Sequence, residues 1–477
     1  MEDNIRRRIK TAKSRNCHGN SIFKKSRPKL QILDLPEDVL CTILSALPLK
    51  DVVRTSVLSS KWRSVHKINP KLRFDSMTMC SSSSTHGSDQ YTQEFIRNVN
   101  AVLQQHKGNF VEHFEIKFGL NGELVIHLDN WVGFVVASHV KNLALDLIPA
   151  NFRGRNDRYL LPSELLKKES TSCLRNLQLS FVSIKLPAQF SGFPNIRKLD
   201  LQSVDVTFKD LEDMVSSCSN LEWLSIVRCH LDDELKIDLP LPRLLYLCVA
   251  YCRITRIKFN AMKLKTFDCR GGRYPIDLIQ SLELKDANLH YFDSITLENT
   301  LTTLPTVLPS VESLNLRATA TLKTPTLLES PCKFSQLKYL QLELYMVHED
   351  ACNILSLASF LRASPLLEKF ELHICVCSVA HFSWLPIRSL PLCPHNHLKK
   401  LYITGFTACT GQLEFLIHIV ENAPVLEVLT LDPAFKSDKE NVRSYEGQTD
   451  VFFSRVREIS RRHLSGRISP ATELYIL

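Results

Sequence analysis

A leucine-rich repeat pattern is the feature of this sequence that most restricts its fold. The pattern L-x-x-L-x-L-x-x-N/C-x-L occurs twice in succession, at 221–231 and 244–254. Its central segment predicts a short strand whose leucines point inward. Its N/C position, here Cys229 and Cys252, predicts a small residue that closes the turn from inside the molecule. Each unit buries its apolar face only against its neighbours, so the pattern predicts a solenoid of stacked repeats.

Looser copies of the pattern extend the array over most of the chain. They are mostly about 20 to 34 residues apart, near the period of such repeats, and they lack a regular Asn at the turn. An uneven α/β horseshoe is therefore expected, and its pattern is weakest near Leu264 and Ile279. The looser copies start at Val111, Val140, Leu174, Ile196, Leu264, Ile279, Val311, Leu337, Leu367, Leu398 and Leu426.

Apolar runs between these copies predict helices on the outer, convex side. The run 128–137 is expected to be capped by Asp129 or Asn130 and to place Trp131 in the core. Comparable runs at 360–363 and 415–420 precede later copies of the pattern.

A small helical unit is predicted ahead of the repeats. Pro36 suits a first helical position because its missing N–H would be unpaired there, and Glu37 and Asp38 place negative charge at the positive end of the helix dipole. Pro48 ends this helix, and Asp51 and Ser59 are predicted caps of two further helices. The apolar residues at helical spacing are Val39, Leu40, Ile43, Leu44 and Leu47 in the first helix, Val52, Val53 and Val57 in the second, and Trp62, Val65 and Ile68 in the third.

Three helices of this length hold only a very small core. Below about 70 residues a single core supplies only a few kcal/mol, so such a unit usually depends on a neighbour or a partner. A generic three-helix cap on the following domain would be one way to cover its apolar face.

The same stretch resembles a known family. The string L-P-E-D-V-L-x-x-I-L-S-x-L-P-L-K-D-V-V-R-T-S-V-L-S-x-K-W-R, residues 35–63, is similar to the F-box of plant proteins, which docks on a Skp-type adaptor of a cullin-based ubiquitin ligase. The resemblance implies that adaptor, and through it a cullin, as partners. The adaptor-binding residues that it implies are Leu35, Pro36, Leu40, Ile43, Leu44, Leu47, Val53, Leu58 and Trp62.

Composition shifts suggest the domain boundaries. Cys80 to Ser88 is a polar linker, and from Asp438 the sequence becomes charged and helical, with Val451, Phe452, Val456 and Ile459 on one face. The ending 462–477 and the Trp131 helix resemble a grass-type group of F-box proteins with leucine-rich repeats. The expected units are a basic tail at 1–30, an F-box at 31–75, a polar linker at 76–90, a solenoid at 91–435 and a C-terminal cap at 436–477.

Charge and composition exclude several classes of protein. The net charge is +9, but residues 1–30 carry ten basic and two acidic residues, so the rest of the chain is nearly neutral. The tail is expected to be disordered, and residues 6–10 are either a nuclear import signal or a solvated segment with no targeting role. The sequence holds neither a secretory signal nor a membrane-spanning apolar run, and its 15 cysteines lack paired spacing. Reduced thiols in the cytoplasm or nucleus are expected.

No enzymatic motif is present. The sequence contains no G-x-x-x-x-G-K-[ST], G-x-G-x-x-G, G-x-S-x-G or H-E-x-x-H, so neither catalytic residues nor a cofactor is expected. Cys393, His395 and His397 lie close together in the sequence, but structural zinc normally needs four ligands. Polar loop residues without a metal are the better interpretation.

A protein-binding surface is expected on the concave side of the horseshoe. Residues beside the inward leucines face that side, among them Ser225, Glu283 and Lys285, and each alone is more simply explained as an exposed strand residue. The candidate target-binding residues are Trp223, Tyr246, Asp268, Arg270, Tyr339 and Tyr402.

Two hypotheses of function follow. In the first, the chain is the substrate-recognition subunit of a Skp–cullin–F-box ubiquitin ligase, holding the adaptor with its helical unit and a target with its repeats. In the second, it is a leucine-rich scaffold or sensor that binds the adaptor without delivering a substrate. A hydrolase or a nucleic-acid-binding protein has no supporting motif in the folded part.

Overall fold

The computed structural model describes most of the chain. The described residues are 35–45, 47, 51–52, 69–80, 89–108, 110–231, 233–279, 281–327, 333–376, 386–435 and 450–477. The predicted tail at 1–30, most of the second and all of the third predicted helix of the N-terminal unit, and residues 436–449 lie outside them.

Within these described ranges, twenty strands form three parallel sheets. The largest has fifteen strands in the order β1-β2-β3-β5-β7-β8-β10-β12-β14-β15-β16-β17-β18-β19-β20, and the smaller ones are β13-β11-β9 and β4-β6. The strands are β1 Lys71–Asp75, β2 His113–Lys117, β3 Asn142–Asp146, β4 Tyr159–Leu160, β5 Asn176–Ser180, β6 Val182–Ser183, β7 Lys198–Gln202, β8 Trp223–Val227, β9 Leu235–Ile237, β10 Tyr246–Ala250, β11 Ile257–Asn260, β12 Thr266–Gly271, β13 Ile276–Ile279, β14 Asp286–Thr296, β15 Ser313–Thr321, β16 Tyr339–Met346, β17 Lys369–Val376, β18 Lys400–Thr404, β19 Val428–Asp432 and β20 Glu473–Ile476.

The repeat pattern explains the register of the large sheet. Leu224 lies opposite Leu199 and Leu247 on the neighbouring strands, and all three are buried. The thiol of Cys252 donates to the carbonyl oxygen of Ile226 at 3.3 Å, and that of Cys229 donates to Val227 at 3.6 Å. Both cysteines are buried, and burial raises the pKa of Cys252 to about 11. The predicted horseshoe and its inward cysteines are confirmed.

Helices cover the convex side of the first and last repeats, while the sheet β13-β11-β9 covers the middle ones. The α-helices are α1 Glu37–Ser45, α2 Ser76–Met79, α3 Asp89–Gln105, α4 Gly122–Ala137, α5 Lys168–Thr171, α6 Phe208–Ser216, α7 Leu297–Val307, α8 His348–Ala351, α9 Ala358–Ala363, α10 Thr410–Asn422 and α11 Asp450–Leu464. None of the helices described for this chain has the length and apolar character needed to cross a bilayer.

The helix that carries Trp131 starts earlier than predicted. Its cap is Asn121, whose side chain accepts from the N–H of Leu124 at 3.0 Å, so Asp129 lies inside the helix and bonds the hydroxyl of Tyr159 instead. Trp131 is buried as predicted, and its indole N–H donates to Asn100 Oδ1 at 2.8 Å.

The sheet also begins earlier than the sequence suggested. Strand β1 lies within the segment 31–75 assigned to the helical unit, and it pairs with β2 over its full length. The short helix α2 follows at once, closed by a capping box between Asp75 and Thr78. The segment 76–90 is therefore not a linker throughout, although 81–88 lies outside the described residues.

One repeat was predicted in the wrong phase. Leu282, expected to point inward, is 76% exposed, whereas Leu284, Ala287 and Leu289 are buried along β14. The structure therefore places Glu283 and Lys285 before this strand rather than on its concave face. Ala287 occupies a position where the pattern requires a leucine. The apolar run just upstream, which contains Leu282, therefore matched the pattern better.

The C-terminal segment provides both a helix and the last strand. Val456 of α11 is buried and Phe452 and Ile459 pack against the core, but Val451 is 73% exposed and does not belong to the predicted face. Strand β20 pairs with β19, so the segment completes the large sheet instead of only covering its end.

Candidate adaptor and target interfaces

Helix α1 has two apolar faces with different environments. Leu40 and Leu44 are fully buried and share one continuous core with Val52, Leu72 and Phe74. The N-terminal helix and the first strand of the solenoid therefore belong to one hydrophobic core. Leu40 and Leu44 were predicted to bind the adaptor, but four-residue spacing places both on the stripe that faces this core.

A neighbouring stripe, which runs along α1 and past its end, faces solvent. Val39, Ile43 and Leu47 are separated by four residues each, and each is about two-fifths exposed. Pro36 is exposed beside them, and Leu35 is half-buried against the core. Val39, Ile43 and Leu47 thus present apolar side chains to solvent near the start of the described chain. Val53, Leu58 and Trp62, the other predicted adaptor-binding residues, lie outside the described residues.

Two aromatic rings form a step on the concave side. Trp223 of β8 and Tyr246 of β10 occupy the same register position, and their rings stack with centroids 3.6 Å apart at 13°. The ammonium of Lys198, on β7, lies 5.1 Å above the indole. Trp223 remains 37% exposed, which makes this step accessible to a partner.

The residues beside this step are less exposed than the sequence suggested. Asp268 is 5% exposed and accepts from Arg270 at both oxygens, at 2.9 and 2.6 Å. Ser225 was expected to face solvent but is only 8% exposed. Its small side chain lies in register between Asp200 and Cys248 and does not project beyond its neighbours.

Tyr339 and Tyr402 belong to a second patch on strands β16 to β19. The ammonium of Lys369 lies 4.8 Å above the ring of Tyr339 and 2.6 Å from Glu371. Hydrogen bonding to His373 and Lys369 lowers the pKa of Glu371 to about 2. His373 Nδ1 is 2.8 Å from the hydroxyl of Thr404, and its ring meets that of Tyr402 edge-on at 5.8 Å.

The six candidate target-binding residues thus form two patches, separated by strands β14 and β15. A polar network between them was missed in the sequence. The hydroxyl of Tyr345 donates to Glu343 at 2.8 Å and accepts from Arg317 at 2.6 Å, and Glu343 is nearly inaccessible. Arg317 and Glu343 follow the second inward leucine of their repeats, the position that the candidate Arg270 holds after Cys269 in its own repeat.

The cysteine and histidines considered for zinc have other surroundings. The N–H groups of Cys393 and His395 donate to the side chain and the carbonyl oxygen of Asn422, both at 2.7 Å. His395 is buried with its ring 6.3 Å from that of His418, and burial lowers its pKa to about 4. Among the described residues no three potential ligands gather around one point.

Comparison with known proteins identifies both parts of the chain. The family model described as At1g61320/AtMIF1, LRR domain, matches residues 102–476, and that of the F-box domain matches residues 32–72. The F-box/FBD/LRR-repeat protein At3g52680 of Arabidopsis thaliana is 30% identical over 72% of this chain and 71% of its own. The F-box/LRR-repeat protein At3g26922 of the same plant is 31% identical over 58% and 87%, respectively. A third Arabidopsis relative, the putative F-box/FBD/LRR-repeat protein At3g49030, is 28% identical over 91% and 94%. The chain belongs to the family of F-box proteins with leucine-rich repeats.

Proposed function

We propose that this protein is the substrate-recognition subunit of a Skp–cullin–F-box ubiquitin ligase. The helical unit holds the Skp-type adaptor, the repeats hold a target protein, and the bond-making chemistry belongs to the partners. The observation that carries the proposal is the exposed stripe of Val39, Ile43 and Leu47, because an apolar surface on a folded chain is explained by a partner that covers it.

The target is proposed to bind on the concave side of the repeats. The stacked rings of Trp223 and Tyr246 offer a large, rigid and partly exposed contact area, which is typical of residues that dominate protein–protein affinity. Tyr339 and Tyr402 offer a second contact on the same side. Because Asp268 and Arg270 satisfy each other, they are proposed to shape the surface beside Tyr246 rather than to pair with the target.

The test compares point variants of the whole chain in binding to a purified Skp-type adaptor. A truncation at residue 90 would remove β1 together with the helices, so it would confound folding with binding. Ile43→Asp should abolish adaptor binding, while Ile126→Asp, at an exposed isoleucine on α4, should leave it unchanged. Adaptor binding by the Ile43 variant at wild-type affinity would refute the proposal.

The alternative is a scaffold or sensor that binds the adaptor without delivering a substrate. Both functions require the same two binding surfaces. They are distinguished by whether the protein bound to the repeats is degraded. Proteins captured through the concave side should accumulate when this chain is lost from the cell. If their abundance and ubiquitination stay unchanged, the scaffold function is correct.

Three finer assignments belong to the same proposal. We propose a protein without catalytic activity or a cofactor, since recruitment requires only the two surfaces. Placement in the cytoplasm or nucleus is supported by the basic tail and the unpaired spacing of the cysteines. Membership of a grass-type group is supported by the similarity of the ending 462–477 and of the Trp131 helix.

A further inference from the structure

A column of charged residues runs along the edge of the large sheet where its strands begin. Its members directly follow the first apolar residue of most repeat patterns, although Leu245 holds this position before β10. From β14 to β19 the charges in this column alternate in sign, and neighbours pair: Glu312 lies 3.0 Å from both Lys285 and Lys338, and Glu368 lies 3.2 Å from Lys399. Here each cation is neutralised by the adjacent repeat.

The alternation fails near the N-terminal end of the array. Lys141, Arg175 and Arg197 precede β3, β5 and β7, which are consecutive strands of the large sheet, so their backbones are about 5 Å apart. Arg197 lies 3.7 Å from Glu222 on the next repeat. Neither Lys141 nor Arg175 has a carboxylate within ion-pair distance among the described residues, and the ammonium of Lys141 lies over the ring of Phe110 at 4.7 Å instead.

A cavity of about 320 Å³ opens between these three cations. Phe110, His139, Ser172, Cys173, Asn195 and Asn220 complete its lining. The amide groups of Asn195 and Asn220 donate to the carbonyl oxygens of Ser172 and Pro194 in the preceding repeat, both at 2.7 Å. The walls are therefore tied together from repeat to repeat, which keeps the three cations close despite their mutual repulsion.

We propose that this cavity binds a phosphorylated serine or threonine side chain of the target protein. A phosphate carries a charge of about −1.5 to −2 and three acceptor oxygens, and arginine clusters bind it through charge-assisted hydrogen bonds. Arg197 of the cavity lining is followed in the chain by Lys198, whose ammonium lies over Trp223 of the candidate target surface. A peptide lying on Trp223 can therefore extend one modified side chain into the cavity.

Nucleic acid fits this place less well. Binding of single strands relies on aromatic faces on which bases stack. The described lining offers two aromatic rings, Phe110 and the imidazole of His139, and the ammonium of Lys141 already occupies one face of Phe110. A folded cavity also suits a projecting side chain better than an extended backbone.

The inference rests on the proposed binding of a target by the repeats, and its test does not involve the adaptor. The full-length chain is titrated with fluorescent degenerate peptide pools that contain a central phosphothreonine, threonine or glutamate. The phosphothreonine pool should bind about tenfold tighter than the threonine pool, and inorganic phosphate should compete with it. Arg175→Gln should remove this advantage, while Lys285→Gln, the same charge loss in the same column, should retain it.

Several outcomes would overturn the inference. Equal weakening by both substitutions would indicate unspecific charge attraction, and equal affinity of the three pools would exclude a phosphate site. Tighter, Arg175-dependent binding of a single-stranded RNA oligonucleotide would assign the cavity to nucleic acid. Adaptor binding by the Arg175 variant is measured separately. A negative result for phosphate binding therefore does not contradict the proposed ligase function, and a negative result for adaptor binding does not contradict the phosphate site.

Discussion

Trp223 and Tyr246 stack at a centroid distance of 3.6 Å, closer than the spacing of about 4.8 Å between the strands that carry them. The two side chains lean together, and the ammonium of Lys198 lies over the indole. This contact turns two neighbouring strand residues into one rigid surface. Because the two side chains already hold each other in place, they lose little conformational entropy when a partner binds.

The first prediction concerns this surface. Changing Trp223 and Tyr246 together to Ala should weaken target binding well over tenfold, because each truncated anchor at an interface centre costs about 2 kcal/mol or more. Adaptor binding, measured in parallel on the same preparation, should remain intact. If target affinity stays within about threefold of wild type while the chain remains folded, recognition lies in another part of the repeats.

The second prediction concerns the exposed stripe of helix α1. Ile43→Asp should weaken adaptor binding at least about thirtyfold, since it places a charge in an apolar contact that must lose its water. Calorimetric titration with purified adaptor measures the effect. Ile126→Asp provides the matched control, because that isoleucine is exposed on another helix. An equal effect of both substitutions would show that charge alone, and not this stripe, is responsible.

The third prediction tests the strand phase. Leu224→Asp should destabilise the solenoid by several kcal/mol, because the carboxylate would be buried among apolar neighbours. Leu239→Asp makes the same change at an exposed leucine and should shift the melting temperature little. Ser225→Asp should fall between them, since Ser225 is mostly covered. Thermal unfolding followed by circular dichroism ranks the three variants, and equal melting temperatures would contradict the orientation of β8.

The fourth prediction concerns acid stability. Burial lowers the pKa of His395 from 6.5 to about 4 in the folded chain. Between these values the unfolded chain binds the extra proton, so the contribution of His395 to stability falls as the pH decreases from 6.5 to 4. By linkage the loss is about 3 kcal/mol at most. His395→Gln should reduce the loss of denaturation midpoint over this range, whereas the exposed His397→Gln should retain the wild-type dependence.

The inward positions of the repeats were predictable because leucine spacing reports strand orientation directly. Ala287 shows where this signal ends: a small inward residue removes the pattern, and the exposed Leu282 then matches it better. Helix α1 shows a different limit. Both of its stripes are apolar, so periodicity could not tell that Leu40 faces the core and Ile43 faces solvent.

Polar contacts on the surface could not be predicted from the sequence, for a different reason. The contacts of Arg317, Glu343 and Tyr345 depend on strands that are distant in sequence and adjacent in space. Lys141, Arg175 and Arg197 are likewise distant in sequence. Only the order of the strands shows that their positive charges lie side by side. Aromatic candidates such as Trp223 were easier to find because few residues of that type occur in the chain.

The continuous core that contains Leu40, Leu44 and Leu72 has a geometric consequence for the proposed ligase subunit. In that proposal the adaptor and the target bind to elements that share this core, and the number of strands between them sets their separation. Trp223 lies on the sixth strand from the helical unit. Inserting or deleting one repeat before it would move the bound target by about 4.8 Å, one strand spacing, and rotate it with the curvature of the horseshoe. In the proposed complex, the order of the repeats would thus determine which lysines of a target point toward the enzyme that modifies them.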